Sequence, residues 1–152
     1  MLMVSPFHCK NPAQLATSVE AVLNADTVIA TCGCKYFEKC PEVINPGLLT
    51  PGHRNYDKEA YSGFMHSFRV HCSELCEGRN IILIDCTVIE NPEHDKALRN
   101  HLGTNPETWA QVVAHDMFTD CHDNLTKLSS TKKNLVICVC RSGCHRSLAS
   151  AY

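Results

Sequence analysis

The sequence predicts an α/β fold of the three-layer type, with a small and mostly parallel sheet. Short runs that are apolar at every position indicate strands covered on both faces, as in parallel sheets. Two such runs are Ile81–Ile84 and Leu135–Val139, and Thr27–Ala30 is a weaker third. Helical patterns alternate with these strands, which is typical of an α/β layer architecture. The 152 residues fit a single domain, 1–152.

Helices are predicted from the spacing of apolar residues and from residues that typically begin or end a helix. Apolar residues recur every three or four positions from Tyr61 to Leu75, although Gly63 is a poor helix former, and Gly78 ends this pattern. Asn-Pro pairs at 11, 91 and 105 each predict a helix with Asn as N-cap and Pro at the first helical position. The helix after 91 should stop at Gly103. The one after 105 should be the longest, reaching Leu125.

Two segments between these elements have a simpler interpretation. The region from Cys40 to Tyr56 is rich in Pro and Gly and predicts a long connection. Val28–Cys34 faintly echoes Val136–Cys140, but the similarity is too short to indicate a repeat.

The charge balance bears on partners and location. The net charge of −2 disfavours RNA as a partner, because phosphate neutralisation supplies most non-specific affinity. RNA stays an alternative partner, because a local basic patch could form from four cationic residues. These are Lys132, Lys133, Arg141 and Arg146. No run of eighteen apolar residues and no signal peptide occurs, so we expect a cytoplasmic protein without a membrane partner.

The eleven cysteines are interpreted as reduced thiols. Their number is odd and no secretion signal accompanies them, so a disulfide framework is not predicted. Cys86 and Cys138 lie in or beside apolar strands and should be core residues. Zinc is an alternative for a set of candidate ligands, but the two tight Cys pairs typical of a structural zinc site are missing. These candidates are Cys32, Cys34, Cys40, His71, Cys72 and Cys76, with Cys121 and His122 as further candidates. No metal and no cofactor is predicted.

The segment with the strongest chemical pattern follows the strand that ends at Val139. A strand-to-helix loop aims backbone N–H groups at a ligand, and Gly143 allows close approach. Arg146 can hold two anionic oxygens, and Ser147 can cap the helix or donate to the ligand. The loop therefore predicts a phosphate site. Its candidate ligand-binding residues are Cys140, Arg141, Ser142, Gly143, Cys144, His145, Arg146 and Ser147.

Other interpretations of this loop stay open. Cysteine five residues before Arg-Ser is also typical of cysteine-dependent phosphatases, in which Cys140 would be the catalytic nucleophile. Those enzymes need a general acid, commonly Asp beside Pro, and no such pair occurs here. His145 could donate to a phosphate or simply hold the loop. In a purely structural role, Arg146 would pair with a carboxylate such as Asp85.

The second half of the chain resembles the C-terminal domain of the RapZ family. Four segments carry the resemblance in the same order, from about residue 78 to 152, whereas residues 1–77 show no match. They are Ile84-Asp-Cys-Thr-Val-Ile-Glu-Asn-Pro92, Ala97-Leu-Arg-Asn-His-Leu-Gly103, Asn105-Pro-Glu-Thr-Trp-Ala-Gln-Val-Val113 and Cys140-Arg-Ser-Gly-Cys-His-Arg-Ser147.

The resemblance implies a non-catalytic domain that binds a small phosphorylated ligand, either a sugar phosphate or a nucleotide. RapZ proteins are ribonuclease adapters that present small RNAs and sense an amino-sugar phosphate, and this domain assembles into homo-oligomers. The resemblance adds Asp85 and Asn91 to the candidate ligand-binding residues of the loop.

The chain departs from the RapZ pattern at several positions. Thr87 stands where the family has an arginine, and Arg141 and Ser142 replace a more flexible Thr-Gly pair. The nucleotide-binding P-loop of the full-length family is missing. Because the chain stops at Tyr152, we expect a truncated final helix and either a fragment or a diverged stand-alone domain.

Overall fold

A computed structural model describes residues 2–4, 24–34, 51, 56–92, 95–98, 100–143 and 145–151. The helix predicted after Asn11 lies outside the described residues, as does most of the predicted connection from Cys40 to Tyr56. Within the described ranges, no helix has both the length and the apolar character needed to cross a bilayer.

The sheet has four strands, all parallel, in the order β1-β2-β4-β3. They are β1 (Leu2–Val4), β2 (Thr27–Gly33), β3 (Asn80–Asp85) and β4 (Asn134–Cys140). The three predicted strands and the parallel sheet are confirmed. The sequence pattern does not predict β1, because three apolar residues are too short to indicate a strand.

The first described helix, α1, spans Lys58–Leu75 and confirms the predicted helix before β3. Asp57 is its N-cap, and its carboxylate accepts from the amides of Glu59 at 2.9 Å and Ala60 at 3.0 Å. Gly63 is accommodated in the interior. After the helix the chain turns through Gly78, whose φ of 83° suits glycine.

The single long helix predicted after Asn105 is wrong. The chain forms α2 (Pro106–Val113), α3 (Met117–His122) and a 3₁₀ turn over Asp123–Lys127. The predicted N-cap is confirmed, because the Asn105 side chain accepts from the next two free amides of α2. The break has a local cause. His115 Nδ1 accepts from the Met117 amide at 3.1 Å, so a side chain takes the donor that a continuous helix would use.

The short helix predicted between Asn91 and Gly103 is also wrong for the described residues of that segment, which form turns. Asp95 accepts from the Ala97 amide at 2.8 Å, a side-chain turn that competes with helical hydrogen bonding.

Helices cover both faces of the sheet, which confirms the three-layer arrangement. On one face, Phe64 and Phe68 of α1 pack with Ile81 and Val139. On the other face, α2, α3 and the final helix α4 (Arg146–Ala151) pack over the sheet. Buried members of that second core are Ile82, Ile84, Val112, Val136, Cys138 and Ala149. Burial on both faces explains why β3 and β4 are apolar at consecutive positions.

Candidate anion-binding site

The segment from Cys140 to Ser147, termed here the Cys140 loop, leaves β4 at the carboxyl edge of the sheet. Gly33, the last residue of β2, is the register partner of Cys140. A Cβ added at Gly33 would lie 2.6 Å from the carbonyl carbon of Ser142 and 2.8 Å from the amide nitrogen of Gly143. The loop therefore packs backbone against backbone on the end of β2. Gly143 has a φ of 74°, a conformation that favours glycine.

A second glycine borders the other end of the loop. A Cβ at Gly103 would overlap the carbonyl oxygen of His145 and lie 2.6 Å from the amide nitrogen of Ala149. The sequence pattern predicts a helix end at Gly103. Its actual role is to let the chain pass directly against the start of α4.

The sulfur of Cys140 lies at the centre of the loop. The amide of Gly143 donates to Sγ at 3.1 Å, and the Ser147 hydroxyl oxygen lies 3.2 Å from it. Cys140 is only 1% exposed and Ser147 is fully buried. These contacts shape the loop around the sulfur and bring together the two ends of the predicted motif.

The Arg146 side chain points inward and is 7% exposed. Its Nη1 donates to the carbonyl oxygens of Thr87 at 2.9 Å and Ile89 at 2.7 Å. The pairing of Arg146 with Asp85, expected for a purely structural role, does not occur, although the two carbonyl contacts also fit a structural role. No carboxylate of the described residues forms an ion pair with this guanidinium, and none of their atoms accepts from its Nε or Nη2. Within the described residues, this largely buried positive charge is therefore bonded through Nη1 alone.

Asp85 lies at the same edge of the sheet, paired in register with Val139. Its Oδ1 accepts from the Tyr61 hydroxyl at 2.9 Å, the Thr87 amide at 2.9 Å and the Thr87 hydroxyl at 2.5 Å. The Thr87 carbonyl in turn accepts from Arg146. Asp85 therefore fixes the turn that holds the guanidinium. The direct ligand contact that the resemblance implies for Asp85 stays a prediction.

Tyr61 completes this network from α1. Its hydroxyl lies 2.9 Å from the Thr87 hydroxyl as well as 2.9 Å from Asp85. Burial, followed by the charge of Asp85, raises the pKa of Tyr61, so the phenol stays protonated and can donate.

The other predicted site residues divide into three groups. Arg141 is exposed, Ser142 and Gly143 are partly exposed, and His145 is 6% exposed. Cys144 lies outside the described residues. Asn91 borders a separate cavity of about 220 Å³ together with Glu90, Asp95 and His115. The surroundings of Asn91 are therefore partly acidic, which suits an anion poorly.

The basic patch expected from the sequence is wrong. Lys132 and Lys133 precede β4, whereas Arg141 and Arg146 follow it. A seven-residue parallel strand separates the two pairs by roughly 20 Å. The described residues also contain no group of three or more His, Cys, Asp or Glu side chains arranged to hold a metal ion.

Sequence reasoning missed Gly33, Tyr61 and the carbonyl groups of Thr87 and Ile89 as parts of the site. Gly33 had a signal, because the echo between 28–34 and 136–140 corresponds to two strands that pair side by side. No sequence signal could have identified the carbonyl groups, since every residue type has one. No family model, curated protein or solved structure matches the chain.

Proposed function

We propose that the Cys140 loop binds a small phosphorylated molecule, a sugar phosphate or a nucleotide, without catalysis. The observation that carries this proposal is the buried guanidinium of Arg146, which lacks a carboxylate partner in the described chain. Burying an unpaired charge costs several kcal/mol. A bound anion would offset that cost, and the resemblance to the RapZ C-terminal domain supports the same ligand class.

The geometry favours a phosphate over a simple halide. Nη1 of Arg146 is fixed by two carbonyls, which leaves Nε and Nη2 for two oxygens of a tetrahedral anion. Ser142 and Gly143 belong to the same loop and are partly exposed. Arg141, which is exposed, adds positive charge at the loop and would speed the approach of an anion.

Calorimetry tests the proposal with inorganic phosphate, amino-sugar phosphates and nucleotides. We expect at least one phosphorylated compound to bind the natural chain and to lose at least tenfold in affinity with Arg146→Ala, because one charged bidentate contact is worth roughly 1.5–3 kcal/mol. Lys132→Ala, which removes an exposed cation before the opposite end of β4, is the matched control. Equal binding by the two variants, or no binding at all, would overturn the proposal.

A second candidate is a phosphomonoesterase with Cys140 as nucleophile. The observation favouring it is the pair of polar groups on the sulfur, the Gly143 amide and the Ser147 hydroxyl. Such contacts stabilise a thiolate. Against it, Cys140 is almost fully buried, and the sequence has no Asp beside Pro of the kind that commonly acts as the general acid.

Turnover of p-nitrophenyl phosphate separates the two candidates. The non-catalytic proposal predicts no Cys140-dependent activity. Activity that disappears in Cys140→Ser and persists in Cys76→Ser, which alters a partly exposed cysteine on another element, would establish the phosphatase instead. RNA is not part of the proposal, because the four cations expected to form a patch lie at opposite ends of β4.

A further inference from the structure

Among the described strands, β3 lies at one edge of the sheet, and its side facing away from β4 borders a groove. The groove has a volume of about 370 Å³. One wall is α1, with His66 and Arg69, and the other is the 3₁₀ turn, with Asn124 and Lys127. The backbone of β3 forms its floor.

The direction of the β3 backbone groups follows from two hydrogen bonds. The Asn80 amide donates to the carbonyl of Lys133 at 2.8 Å, just before β4. Because alternate residues of a parallel strand bond to opposite sides, Ile81, Leu83 and Asp85 turn their N–H and C=O groups to the groove. The side-chain amide of Asn124 confirms this direction, because its Nδ2 donates to the Leu83 carbonyl at 3.2 Å. For the amides of Ile81 and Leu83, the described part of the chain offers no acceptor.

The charges of the groove are predominantly positive. Arg69 and Lys127 are exposed on opposite walls, and neither forms an ion pair with a carboxylate of the described residues. The carboxylate at the far end, Asp85, already accepts three hydrogen bonds on Oδ1 from its own chain. The chain as a whole carries a net charge of −2, so this positive groove is a local feature.

We propose that this groove binds an extended acidic peptide segment of a partner protein, which adds to β3 as a further strand. The outward N–H groups of Ile81 and Leu83 would donate to the peptide backbone, and the peptide would replace Asn124 at the Leu83 carbonyl. Arg69 and Lys127 would contact acidic side chains on either side of the peptide. From Ile81 to Asp85 the floor is about 13 Å long, which accommodates roughly five peptide residues. We specify an acidic peptide because Arg69 and Lys127, which form no ion pair with the described carboxylates, border β3.

Fluorescence anisotropy with two labelled octapeptides tests the proposal. We expect a peptide alternating Val and Glu to bind, a peptide alternating Val and Lys not to bind, and the acidic complex to weaken as salt rises. Arg69→Glu combined with Lys127→Glu should weaken binding about tenfold, because two attractive contacts become repulsive. The matched control is Lys96→Glu combined with Lys132→Glu, which reverses two exposed charges that do not line the groove.

Amide hydrogen exchange of the natural chain tests whether the peptide contacts β3 itself. Bound acidic peptide should slow exchange at Ile81 and Leu83, whose amides face the groove, and leave Ile82 unchanged. Equal binding of both peptides, or binding without protection of these two amides, overturns the proposal. Protection before any peptide is added would mean that the chain's own residues cover β3. Protection that rises with protein concentration would mean that a second copy does, and either result also overturns it.

Discussion

Nη1 of Arg146 lies 2.7 Å from the carbonyl oxygen of Ile89, so the first residue of α4 is bonded to the segment that follows β3. The same nitrogen donates to the Thr87 carbonyl at 2.9 Å. One charged group therefore connects the two neighbouring strand ends from which the site is built. Its contribution to stability and its contribution to ligand binding can be measured separately.

Arg146→Lys should destabilise the fold by roughly 1–3 kcal/mol. A lysine ammonium cannot reproduce the planar donor geometry that serves two carbonyls, so one of them would be left buried and unsatisfied. Urea denaturation measures the loss. Arg141→Lys is the control, since an exposed arginine should change stability by less than about 0.5 kcal/mol. Equal stabilities of the two variants would contradict the assigned role of the buried guanidinium.

Gly33→Ala should disturb the Cys140 loop. The new methyl group would meet the backbone of Ser142 at 2.6 Å and that of Gly143 at 2.8 Å, and backbone cannot rotate away as a flexible side chain can. We expect a loss of roughly 1–3 kcal/mol in stability together with weaker phosphate binding.

Gly78→Ala is the matched control for that substitution. Nothing lies within 4 Å of its added Cβ, although its positive φ should cost about 1 kcal/mol. The two variants are thus both destabilised, but only Gly33→Ala should alter phosphate affinity in calorimetry. Unchanged phosphate affinity in Gly33→Ala would show that the end of β2 is not part of the phosphate site.

The sequence allowed three of the four described strands and the loop to be predicted because these depend on local patterns. Apolar runs identified β3 and β4 since both faces of these strands are buried, and Asn105 was recognisable as an N-cap from its position before Pro106. The α2–α3 region was mispredicted because the apolar period continues through a break. That break is made by the side chain of His115, which the period does not encode.

The contacts of the site depend on distant pairings that no local pattern specifies. Tyr61 and Asp85 are separated by 24 positions, and Arg146 reaches Thr87 across 59. A pattern search assigns a role to a side chain from its type, so Asp85 was predicted to bind the ligand directly. The hydrogen bond that Asp85 accepts from Tyr61 depends on the packing of α1 on the sheet, which no local pattern encodes.

Tyr61→Phe should cost about 1 kcal/mol without unfolding the chain. The ring keeps its packing against Phe64, whereas Asp85 loses one donor and the Thr87 hydroxyl loses a neighbour at 2.9 Å. Thermal and urea unfolding measure this cost. Tyr56→Phe alters an exposed phenol in the same region and should be neutral. A Tyr61→Phe variant as stable as the natural chain would show that the network adds nothing to folding.

His122 should make stability depend on pH in the neutral to alkaline range. Its Nδ1 lies 2.7 Å from the Phe118 carbonyl and its Nε2 lies 3.2 Å from the Ser150 carbonyl, so both ring nitrogens face acceptors. The hydrogen bond to the Cys121 sulfur, followed by these carbonyls and despite the opposing effect of burial, raises the pKa of His122 from 6.5 to about 9. The imidazolium therefore bonds α3 to α4.

Because the folded-state pKa is raised, the stabilisation is complete below about pH 6.5 and is lost as the pH rises to about 9. Solvent reaches part of the ring, so we expect about 1 kcal/mol rather than the full value that the shift would imply. The measurement is the difference in unfolding free energy between the natural chain and His122→Gln at pH 6 and at pH 9.5, which removes the effect of other titrating groups. His66→Gln, at an exposed position on α1, is the control. If the His122→Gln difference were the same at both pH values, the ring would be neutral in the folded protein and the proposed charged contact between α3 and α4 would not exist.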